Sequence, residues 1–115
     1  MKMISKAKTL TFLTALILIG CKTTQLLTPT EGDVERGQAK YSDYTLHQLT
    51  QGKALYEQHC QSCHNLKNPS SRTEEEWKGI VPRMSKLVNK NAMVLKHAEQ
   101  ELILRYVVTM GLNKK

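Results

Sequence analysis

Very little in the composition of this chain is distinctive, and what it lacks narrows the reading. Among 115 residues there are three cysteines, one Trp, one Phe and three prolines. Three cysteines exclude a disulfide-dense scaffold. The one strongly apolar run, Leu10 to Ile19, is about half the roughly twenty residues that a spanning helix needs. No stretch alternates apolar and polar residues as a half-buried strand does, which leaves an all-α domain. No internal repeat is present, and no acid–base pair or substrate pocket is legible, so an enzyme is not expected. Charge is also limited. Lys and Arg number 17 against 10 acids, a net +7, but Lys2, Lys6 and Lys8 precede the apolar run. The remaining 14 against 10 leave +4, a solvated and mildly basic surface rather than a nucleic-acid site.

The features that are present begin at the N-terminus. The three lysines followed by Leu10 to Ile19 read as a signal peptide over residues 1–20. Leu18-Ile19-Gly20-Cys21 resembles a bacterial lipoprotein lipobox. That resemblance implies cleavage before Cys21 and acylation of its sulfur, and several acyl chains anchor stably where one does not. The expected location is the bacterial cell envelope, facing the periplasm. Lys22, in place of an aspartate, favours the outer membrane. Residues 21–43 show no sustained apolar period and predict a flexible tether. The globular part is then 44–115, a length marginal for an unaided hydrophobic core.

Three helices are expected in that part. Leu46, Leu49, Gly52, Tyr56 and Cys60 share one face of a helix from Thr45 to Cys60. Gly52 inside it predicts close approach of another backbone. Thr73-Glu74-Glu75-Glu76 is a capping-box pattern. It opens a stripe of Trp77, Ile80 or Val81, Met84, and Leu87 or Val88, in which Pro82 marks either a kink or a new helix start. His97 to Met110 carries Leu102, Ile103, Tyr106, Val107 and Met110 on one face, with Gly111 as its expected C-terminal cap.

The strongest signal is Cys60-Gln61-Ser62-Cys63-His64. In an exported chain this string reads as a c-type haem attachment site. The two thiols can each add across one haem vinyl group, and His64 can donate an imidazole nitrogen to the iron. With Cys21 acylated, every cysteine then has a use. One covalent haem c is expected, and its two propionates lower the net charge of the mature chain to about +2. The same Cys pair could also serve a thiol oxidoreductase, but that use accompanies a βαβ pattern. A structural zinc site would need four ligands, and only Cys60, Cys63, His64 and His59 lie close together in sequence.

From about Thr45 to Met110 the chain resembles a small monohaem class I cytochrome c domain. The resemblance rests on Gly52-Lys-Ala-Leu-Tyr56, Cys60 to His64, Trp77 through Met84, and Ile103-Leu-Arg-Tyr106. It implies an N-terminal helix crossing a C-terminal helix, with Gly52, Tyr56 and Tyr106 at the crossing. It further implies a carrier of single electrons between redox partners, lipid-anchored here through Cys21. Iron in such a site takes a proximal His, with Met or His commonly opposite. Met84 is the favoured distal ligand, although it follows His64 at a shorter spacing than in many members. Met93 and His97 are alternatives, Met110 is expected in the core, and an open position would instead make a module that binds nitric oxide or carbon monoxide. His47 and His59 are expected at the surface, His59 with the option of lining the haem edge. Trp77 is expected in the core or, less simply, bonded to a propionate, for which Arg72 and Arg83 are further partners.

Overall fold

A computed structural model describes residues 24–113. The signal segment 1–20, Cys21 and Lys22 lie outside the described residues. Among those described there are four helices and no strand: α1 (Glu31–Gln38), α2 (Leu46–Cys60), α3 (Glu74–Lys90) and α4 (His97–Gly111), with a 3-10 turn at Pro69–Ser71 before α3. The all-α expectation holds. None of these helices is long and apolar enough to cross a membrane.

Threonines start three of the helices by one device. Thr30, Thr45 and Thr73 each accept a hydrogen bond from the backbone N–H three residues on, and Asp33, Gln48 and Glu76 accept one back from the cap residue's N–H. Each pair satisfies two donors that a helix N-terminus otherwise leaves open. α3 also places Glu74, Glu75 and Glu76 in its first turn, where the helix dipole favours negative charge. It runs unbroken through Pro82, which resolves the two readings of that proline in favour of one helix.

The core is built where α2 crosses α4. A Cβ on Gly52 would lie 2.3 Å from the Leu102 carbonyl oxygen and 2.8 Å from Tyr106 Cβ, so the two backbones meet as the sequence predicts. Around that contact Leu49, Ile103, Tyr106 and Val107 are fully buried. Tyr56 packs tilted on Tyr106 at 5.8 Å and edge-on to Trp77 at 6.1 Å, which ties α3 to the crossing. Trp77 is buried and its Nε1–H donates to the Pro69 carbonyl at 2.9 Å. Its role is core packing.

Two expectations are corrected. Gly111 is the last residue of α4, has no positive φ, and is followed by Leu112 as the cap. Its smallness is used differently, since a Cβ there would stand 3.1 Å from the Pro69 carbonyl oxygen. The second correction is larger. The segment expected to be a flexible tether contains α1, whose Val34, Gly37 and Asp33 are buried. Gly37 fits because a Cβ would strike Tyr44 Cδ1 at 2.8 Å and Thr109 Oγ1 at 3.0 Å. Asp33 accepts from Asn113 Nδ2 at 2.8 Å and pairs with Arg36. Burial alone would raise its pKa, but the hydrogen bonds from Asn113 and Thr30 and the Arg36 charge outweigh burial and hold the carboxyl below its ordinary value.

Candidate functional site

The end of α2, the loop that follows it and one face of α3 enclose a cleft of about 360 Å³. Cys60 closes α2, and Cys63 and His64 lie in the turn beyond it. Ser62 Oγ donates to the His59 carbonyl at 2.9 Å, which satisfies one carbonyl that the helix end would leave open. Cys60, Cys63 and His64 all line the cleft. The loop is held further on, where Tyr56 Oη donates to the Lys67 carbonyl at 2.8 Å.

His64 Nδ1 lies 2.9 Å from the Asn65 carbonyl oxygen. A carbonyl only accepts, so this bond requires the proton on Nδ1 and leaves the lone pair on Nε2. That tautomer is the one a histidine uses when Nε2 ligates a metal and a carbonyl fixes the ring.

α3 presents two different faces. Trp77, Val81, Ser85 and Val88 are buried, and Ser85 Oγ donates to the Val81 carbonyl at 2.8 Å. Ile80, Met84 and Leu87 are less covered, Leu87 remaining 45% exposed, and they form part of the cleft wall. Of the sequence alternatives Ile80 or Val81 and Leu87 or Val88, both members of each pair reach the cleft, and Val81 and Val88 are the buried ones. Ile103 of α4 lines the cleft too, and Arg72 and Arg83 are exposed residues on its boundary.

Of the candidate distal ligands, Met84 shares the cleft with His64. Met93 packs against the core in the loop between α3 and α4, and His97 is exposed at the start of α4; neither lines the cleft. That loop turns through Ala92 at φ 63° and is clamped by Asn89, which accepts from the Leu95 N–H at 2.7 Å. Met110 is buried as expected, and His47 is exposed.

His59 departs from its expected surface position. It is 6% exposed, lines the cleft, and its Nδ1 has no hydrogen-bond partner. The sequence signal was its spacing, three residues beyond Tyr56 and seven beyond Gly52 on the buried face of α2.

The thiol chemistry of the site is constrained. Cys60 and Cys63 form no disulfide, and burial pushes the Cys60 thiol up to about 11. A redox-active thiol is instead held low in an electropositive setting. Among the described residues no three His, Cys, Asp or Glu side chains gather so as to hold a metal ion by themselves. A larger cavity of about 450 Å³ between the N-terminal segment and α4 is lined by residues such as Gln25, Asn68 and Met110, with no thiol, imidazole or charged side chain.

Taken together, two thiols, a lone-pair imidazole nitrogen and a thioether border one apolar cleft, with cations at its boundary. That donor set fits a haem. Compared with known proteins, the chain matches no family model, no curated protein and no solved structure.

Proposed function

We propose that the chain is a lipid-anchored c-type cytochrome domain that carries single electrons between redox proteins on the periplasmic side of a bacterial membrane. The observation that carries this reading is the convergence of Cys60, Cys63, His64 and Met84 on one apolar cleft. A covalently held haem supplies the one-electron couple. Cys60 and Cys63 would hold it as thioethers, each S–H adding across one vinyl group so that no atom is lost. His64 would ligate through Nε2, with the Asn65 carbonyl fixing the ring and raising its basicity. Met84 would ligate from α3, and Ile80, Leu87 and Ile103 would exclude water. Arg72 and Arg83, at the cleft boundary, would pair with propionates.

A potentiometric titration of the purified holoprotein tests the reading. A single wave with n = 1 and reversible exchange of electrons with an electrode are expected. A protein that binds haem but shows no defined potential is not a carrier.

A further inference from the structure

The N-terminal segment has no part in the proposed chemistry, yet the chain holds it against the cleft end of the domain. Thr24 Oγ1 donates to the Leu66 carbonyl at 2.8 Å. Gln25 and Leu27 line a cavity together with Asn68 and Pro69. Pro29 is buried, and α1 follows directly. Only Lys22 and Thr23 separate Cys21 from the first bonded residue. Three Cα steps span at most about 11 Å, whereas the 22 residues from Lys22 to Asp43, if free, would reach roughly 75 Å.

The surface at this end has a distinct chemistry. No acidic residue occurs between Glu57 and Glu74, and none before Glu31. Lys67 and Arg72 are exposed there, and Lys22 adjoins Cys21. Leu27 is 50% exposed and shares its cavity with Asn68, Pro69 and Ser70. Glu76 lies near enough to Arg72 to feel its charge, so the basic character of this end rests on Lys67 and Lys22, which together with an exposed leucine suit an anionic headgroup layer. Lys67 also lines the cleft, so this end and the mouth of the cleft are one region.

We propose that the end of the domain bearing Thr24, Leu27, Leu66 and Lys67 rests on the membrane that holds acylated Cys21, in contact with anionic headgroups. The inference rests on the lipoprotein reading of Cys21. The domain is then strapped down rather than tethered, and its electron partner is a protein of that same membrane, reached by lateral diffusion.

Photocrosslinking tests this in the full-length, haem-loaded and acylated protein, reconstituted in phosphatidylethanolamine–phosphatidylglycerol vesicles. With Cys21 acylated and Cys60 and Cys63 joined to haem, an introduced cysteine is the sole free thiol and can carry a benzophenone. Ser70→Cys places the probe beside Leu27, and His47→Cys places it at the far end of α2, thirteen residues or about 20 Å of helix before Cys60. Lipid adducts should form at least about fivefold more at position 70 than at position 47, since only the first is expected within headgroup reach. Equal yields in protein whose intact mass shows acylation overturn the strapped orientation and leave the lipoprotein reading standing. An intact mass without acyl groups on Cys21 overturns both.

Discussion

Met84→Ala holoprotein should have a reduction potential lower by on the order of 100 mV, a fraction of the ~0.8 V that axial ligation spans. It should also bind carbon monoxide in the ferrous state within the mixing time of a stopped-flow experiment, which the parent protein should not. The reason is local. Met84 stands on the face of α3 that borders the cleft, while Met93 and His97 lie elsewhere. Met93→Ala and His97→Ala should therefore leave both quantities unchanged. If the parent protein already binds carbon monoxide rapidly, the open sixth position favours the ligand-sensing alternative. If Met93→Ala produces the drop instead, the α3 face has been assigned to the wrong side of the cleft.

Gly52→Ala should be the most destabilising single-methyl change in the domain. The added Cβ meets the Leu102 carbonyl at 2.3 Å and Tyr106 Cβ at 2.8 Å, and both atoms belong to the frame of α4 rather than to a side-chain tip. The helices have to part, and overpacking of this kind costs about 1–3 kcal/mol, occasionally more. The roughly 1 kcal/mol that Ala gains over Gly in a helix is not enough to offset this. Gly79 supplies the internal control, since it lies on α3 with nothing within 4 Å of its would-be Cβ. Gly79→Ala should raise stability by about 1 kcal/mol. Urea unfolding of the two holoproteins should thus shift in opposite directions. A Gly52→Ala midpoint equal to that of the parent would mean that α2 and α4 do not approach as described.

α2, α3 and α4 were legible because each carries an apolar stripe of helical period, and the first two also carry a threonine cap. α1 was not. Its buried face consists of Val34, Gly37 and the acid Asp33, and no hydropathy pattern marks a glycine and a carboxylate as interior. Their burial depends on Thr109, Tyr44 and Asn113, which are distant or separate in sequence. Gly111 differs from its expected role for a related reason: glycine near a helix end signals a left-handed cap, whereas here it makes room for the Pro69 carbonyl.

The candidate site was legible in its Cys-x-x-Cys-His string and less so elsewhere. Cys60, Cys63 and His64 are adjacent in sequence, so their meeting needs no tertiary information. Which of Met84, Met93 and His97 lines the cleft depends on the rotation of α3 about its axis, which Trp77 fixes by burying its ring and donating to the Pro69 carbonyl. For His59 the sequence leaves two positions open, the surface and the haem edge, and its register with Gly52 and Tyr56 puts it inside, on the cleft.

One covalent haem on Cys60 and Cys63, with His64 as a ligand to its iron, would be read directly by a pyridine haemochrome spectrum. The exported protein, made alongside a cytochrome c maturation system, should carry one haem c per chain after acid–acetone extraction, and a His64→Ala variant should lose or mis-ligate it. A folded, exported protein from which no covalently bound haem is recovered would contradict the account.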